Sequence, residues 1–186
     1  MKVINERLTS LRLKSETLDK IINNLDQVFV TIYNIKKVVN KDAHSRNWII
    51  DEFGGIVAID FEADRIVPMT YDIANLIDQH GRMPIYEKDE LFDRCLESFI
   101  EYGGKIEKSE RGKYKLAYLN SVIIRTLEAY SMLIETDKGI LDDSLTNSLK
   151  AIERIKIEYN EYYKLNEISY RDLTEGISEL KIFNEI

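Results

Sequence analysis

Residues 40–50 read NKDAHSRNWII, and they set Asp42, His44 and Asn47 within six positions of one another. Upstream, Leu18, Ile21, Ile22, Leu25, Val28, Phe29, Ile32 and Ile35 recur at three- and four-residue steps, the period of one apolar helix face over about 16–39. Downstream, NWII (47–50) and GIVAIDFE (55–62) are short β-branched runs separated by DEFG, whose Gly54, with Gly55, suits a tight turn. The polar cluster therefore falls on a loop between a helix and a small hairpin spanning about 47–62. The second strand of that hairpin runs into another acid, Asp60.

The rest of the chain is helical in pattern. Two prolines and eight glycines in 186 residues leave little punctuation, which favours long helices over many short strands. Helices are expected near 71–80, 87–102, 111–134 and 142–165, with a weaker one at 167–183, and Gly103 and Gly104 should stop the second of these. No repeat, low-complexity tract or linker divides residues 1–186, so one domain of mainly α, α+β class is expected.

Composition excludes several function classes. A formal net charge of -7 argues against a phosphate-tracking surface, hence no nucleic acid. No apolar run approaches the roughly 20 residues of a membrane helix, so no membrane span is expected. Cys95 is the sole cysteine, and the first ten residues lack a secretory apolar core; the chain reads as cytoplasmic. Cys95 lies on an apolar helix face and reads as a core residue. Tyr159, Tyr162 and Tyr163 read as helix packing, not a stacking platform.

Asp42, Asn47 and Asp60 have a chemistry in common. A carboxylate beside further oxygen donors suits Mg²⁺, which prefers a few carboxylate or amide oxygens completed by phosphate and water. Phosphoryl transfer needs that set, with an acid to take the acceptor proton and metal to neutralise the phosphates. Taken singly, Asp42 could equally be a loop residue capping backbone amides.

DAHSRNWII, GIVAIDFE and TYDIANLI (70–77) together resemble the core of the aminoglycoside phosphotransferase and choline kinase family, whose loop reads H-G-D-x-H-x-x-N before a hairpin, an I-D-x-E segment and a Y-D-x-A helix start. The resemblance implies a kinase-like C-terminal lobe with Asp42 as the catalytic base. It also implies Asn47 and Asp60 as metal ligands, His44 as the second histidine of the loop, and Asp72 as the brace of the catalytic loop; by its own chemistry His44 reads as a structural hydrogen-bonding residue in preference to a general acid or base. Mg²⁺ and ATP are the implied cofactors, and a small-molecule hydroxyl the implied acceptor. The residues that would bind the nucleotide are unassigned.

The family pattern is not complete. Asn40 and Lys41 stand where the family has His and Gly, and only residues 1–39 precede the loop, leaving no room for the family's N-terminal lobe. Neither a Gly-x-Gly nor a Walker A pattern occurs. The resemblance thus implies an N-terminal lobe absent from this chain, and weak or no turnover by the chain alone. The alternative is a non-catalytic kinase-like lobe that binds a ligand or a protein. A protein partner or self-association would then cover the surface where the other lobe would dock.

Overall fold

The structure is a computed structural model, and it describes residues 6, 9, 14–39, 44, 47–59, 66–77, 85–133, 145–146, 149–150, 152–153, 156–157 and 169–183. Five helices are found among the described residues: α1 (Ser15–Tyr33), α2 (Met69–Ile77), α3 (Ile85–Glu101), α4 (Arg111–Leu133) and α5 (Tyr170–Phe183). Two antiparallel two-stranded sheets accompany them, β1 (Lys37–Val39) with β4 (Ile66–Pro68) and β2 (Trp48–Ile50) with β3 (Ile56–Ala58). The class is mainly helical α+β, as the sequence implies.

The core forms where α1, α4 and α5 meet. Ile21, Leu25, Val28 and Ile32 of α1 are buried against Ile123, Ile124 and Leu127 of α4 and Leu173, Ile177 and Leu180 of α5. Burying such side chains is worth about 1.5–3 kcal/mol each before the entropy of ordering is subtracted. Gly176 lets α5 approach α1 closely, since a Cβ there would lie 2.6 Å from Ile21 Cγ1. A buried polar chain crosses the same interface: Tyr170 donates to Asn120 Oδ1 at 3.0 Å, and Asn120 Nδ2 donates to Thr31 Oγ1 at 2.7 Å. The fully buried tyrosine hydroxyl and amide thus satisfy one another.

Local chemistry explains where α5 begins. The Ser169 hydroxyl accepts from the Asp172 amide at 3.2 Å, an N-cap, and the Ser169 amide donates to Asn24 Oδ1 on α1 at 2.7 Å. At the other kind of terminus, α3 stops as Gly103 takes φ +92° and the Gly104 amide closes onto Phe99 O at 2.8 Å.

Two boundaries differ from the sequence expectation. The first helix ends at Tyr33, not 39, because Lys37–Val39 leave it to pair with Ile66–Pro68. The apolar period runs on through Ile35 and Val38, so it gives no sign of the change. The 142–165 helix is described only in part: Leu145, Thr146, Leu149, Lys150, Ile152, Glu153, Lys156 and Ile157 are helical, and Leu145 and Ile152 are buried in the core. Tyr159, Tyr162 and Tyr163 lie outside the described residues.

Candidate functional site

The β1–β4 pair organises the motif-bearing segment. Val39 is paired with Ile66 at the last step of the register, so the chain leaves and returns at one place. Immediately after, the Met69 amide donates to Lys36 O at 2.8 Å and starts α2. Asp72 consequently sits in the first turn of α2, within one helical turn of the sheet pair.

Within that excursion the β2–β3 hairpin carries Asn47 at its base. The Asn47 amide donates to His44 O at 3.0 Å, and Asn47 O accepts from the Ile59 amide at 2.8 Å, so the loop turn and the hairpin share this residue. Asp51 builds the other end: its Oδ1 accepts from the Phe53 and Gly55 amides at 2.9 and 2.6 Å, and Gly54 takes φ +80°. The hairpin anticipated from Gly54 and Gly55 is there, with shorter strands than 47–62.

Asn47 is 5% exposed and Asp72 is 9% exposed. Asp72 is thus buried near the root of the segment. His44 is half-buried. Asp42 and Asp60, the expected base and the second metal ligand, lie outside the described residues, as do Asn40 and Lys41. Among the described residues no group of three or more His, Cys, Asp or Glu side chains is placed to hold a metal.

A polar cluster that sequence reading does not reveal clamps α2 to α4. The Tyr71 hydroxyl donates to Glu128 Oε2 at 2.6 Å and accepts from Arg125 Nη1 at 3.2 Å. Arg125 Nη2 donates to Asn75 Oδ1 at 2.5 Å, and its guanidinium stands 5.3 Å from the Tyr71 ring centroid. Thr70 and Ser121 hydroxyls meet at 3.2 Å on the same interface. Burial, and then the Glu128 carboxylate, push the Tyr71 phenol up to about 12, so it stays a protonated donor at neutral pH. Tyr71 and Asn75 sit one helical turn apart, as do Arg125 and Glu128, but only the packing of the two helices brings the four together.

A second polar feature lies at the far end of α1. Glu16, Asp19, Lys20, Asn23, Asn24 and Asp172 line a cavity of about 430 Å³ between α1 and α5. Beside it Lys20 contacts Glu175 at 3.2 Å and Glu179 at 3.3 Å, and Thr17 hydrogen-bonds Glu179. Arg171 and then Lys20 hold the Glu175 carboxyl below its ordinary range, while Thr17 and then Lys20 do so for Glu179. Cys95 is partly buried, and burial pushes its thiol up, which disfavours the thiolate.

No protein-family model, curated protein or solved structure matches this chain. No described helix is long and apolar enough to cross a membrane.

Proposed function

We propose that the chain is the catalytic-loop-bearing lobe of a kinase-like phosphotransferase, which holds Mg²⁺ and the phosphates of ATP against the 42–60 segment and transfers phosphate to a small-molecule hydroxyl. The observation that carries this reading is the pairing of Asn47 with Ile59 at the base of the hairpin. Asn47 is buried at this position, and Asp60 directly follows Ile59 in the sequence. Asn47, Asp60 and Asp42 offer oxygen donors only, which fits Mg²⁺ and suits a softer metal poorly.

In the proposed reaction the acceptor oxygen attacks the γ-phosphorus, the bond from the γ-phosphorus to the β–γ bridging oxygen breaks, and ADP departs. Asp42 takes the acceptor proton. The metal, when bound, neutralises charge on the phosphates. Asp72 anchors the loop from α2, whose orientation is set by the Tyr71–Arg125–Glu128 cluster. With no phosphate-covering lobe in residues 1–39, nucleotide is held from one side, so binding is weak and turnover by the chain alone is very slow or nil.

The test is Mg²⁺-dependent nucleotide binding by the purified chain, with Asn47→Ala and Asp60→Ala as comparisons. Binding that needs Mg²⁺ and both side chains supports the reading; nucleotide affinity indifferent to all three refutes it. A second reading, a non-catalytic binding lobe, is favoured by one observation: the hairpin beside the site presents uncovered apolar side chains.

A further inference from the structure

Helix α2 takes its setting from outside itself. It has nine residues, and isolated helices under about 12 residues are marginal in water, so packing must hold it. It also receives the return of the motif-bearing segment: residues 40–65 leave from β1 and come back through β4, where Pro68 ends the strand and Met69 begins the helix. Whatever fixes α2 therefore fixes one root of that segment. A helix turns about 100° per residue, so Tyr71 and Asn75 project within about 40° of each other, with Thr70 about 100° to one side of Tyr71 and Asp72 about 100° to the other. Thr70, Tyr71 and Asn75 are the residues tied to α4, through Ser121, Arg125 and Glu128.

Arg125 is suited to this lock. Its Nη1 reaches the Tyr71 hydroxyl and its Nη2 reaches Asn75 Oδ1, so one planar fork grips α2 at two points a turn apart. Two points fix both the roll of a helix and its position along its axis; one point fixes neither. Glu128 completes the grip, accepting from Tyr71 at 2.6 Å and standing 3.5 Å from Arg125 Nη1. We infer that Tyr71 and Arg125 are positioning residues, which lock the roll of α2 on α4 and so set the direction in which the adjacent, buried Asp72 holds the metal-bearing loop. The role of Asp72 in this inference rests on the phosphotransferase reading.

The test sets Tyr71→Phe and Arg125→Met against Tyr170→Phe, which removes a buried tyrosine hydroxyl at a different helix crossing. Two quantities are measured on the whole chain: Kd for ATP with Mg²⁺, and amide exchange at Asn47 and Ile59, whose hydrogen bonds close the base of the hairpin. At a comparable loss of melting temperature, Tyr71→Phe and Arg125→Met should raise Kd and speed exchange at both amides by about threefold or more, and Tyr170→Phe should change neither by as much. Glu128→Gln keeps an acceptor for Tyr71 and should stay near the wild type, whereas Glu128→Ala should match Tyr71→Phe. In an Asp72→Asn background, Tyr71→Phe should add nothing further. If Arg125→Met fails to fold, as melting followed by circular dichroism would show, Tyr71→Phe and the Glu128 pair carry the comparison. Exchange at Asn47 and Ile59 no faster than in Tyr170→Phe overturns the inference, and so does a full additive effect of Tyr71→Phe on Asp72→Asn. A wild-type chain without Mg²⁺-dependent ATP binding refutes the phosphotransferase reading instead, and the exchange comparison then decides the positioning claim by itself.

Discussion

The helical core and the β2–β3 hairpin use the same residue types to opposite ends. Ile21, Ile123 and Ile177 vanish between α1, α4 and α5, whereas Ile50 and Ile56 stand in solvent a short distance along the chain. Geometry accounts for the difference. A helix gathers apolar side chains into one stripe, and three stripes close on one another. A strand alternates, so the run WII sends apolar groups to both faces of a two-stranded sheet, and Ile49 and Val57 on one face, like Ile50 and Ile56 on the other, are exposed. Among the described residues the helical core is closed, and the hairpin leaves its aliphatic side chains exposed.

The sharpest way to break that contrast is to truncate equivalent aliphatic residues in both regions. Leu127→Ala, fully buried, should cost about 2–5 kcal/mol in chemical denaturation. Ile50→Ala should stay within about 0.5 kcal/mol. Comparable losses at the two positions would mean that the hairpin packs as part of the core. Next in size is the polar chain through the core. Asn120→Ala leaves the Tyr170 and Thr31 hydroxyls without their shared partner and should cost about 1–3 kcal/mol. Tyr170→Phe added to it should cost less than the two single losses summed, which a double-mutant cycle reads directly.

Smaller again is the effect at the α1–α5 crossing. Gly176→Ala drives a Cβ toward Ile21 Cγ1, and the strain should outweigh the gain in helix propensity, for a net loss of about 1 kcal/mol. A stabilised Gly176→Ala protein would show that α5 can lift away from α1. The least effect is electrostatic. Glu175 and Glu179 have carboxyls held below their ordinary value of 4.5, so their contribution is present above that pH and is lost as pH falls below it through their folded values. The cluster is exposed and the effect slight. Lys20→Met should lower the melting temperature slightly near neutrality and leave it unchanged at low pH, below the folded values of both carboxyls, so the acid limb of a pH series flattens.

What the sequence discloses follows the range of the interactions. The helix faces, the stop at Gly103 and the turn at Gly54 depend on residues a few positions apart, and all are readable from period and composition. The β1–β4 sheet joins Val38 to Val67 across a long excursion, and because Val38 continues the apolar period of α1, the pattern predicts helix where a strand forms. The site divides in the same way. Asp42, Asn47, Asp60 and Asp72 stand out by spacing, whereas the burial of Asn47 and Asp72 is set by packing that spacing does not disclose. The Tyr71–Arg125–Asn75 cluster spans 50 or more positions and has no local signature.

The central claim is that residues 42–60 form a Mg²⁺-dependent nucleotide site, and calorimetric titration of ATP into the chain, with and without Mg²⁺, tests it most directly. The account predicts weak binding, with Kd on the order of 0.1–1 mM, that appears only with Mg²⁺ and disappears in Asn47→Ala and Asp60→Ala. Asp42→Ala should retain nucleotide, since the base acts on the acceptor, while abolishing whatever phosphate transfer a supplied lobe restores. Absence of Mg²⁺-dependent binding up to about 10 mM would contradict the account.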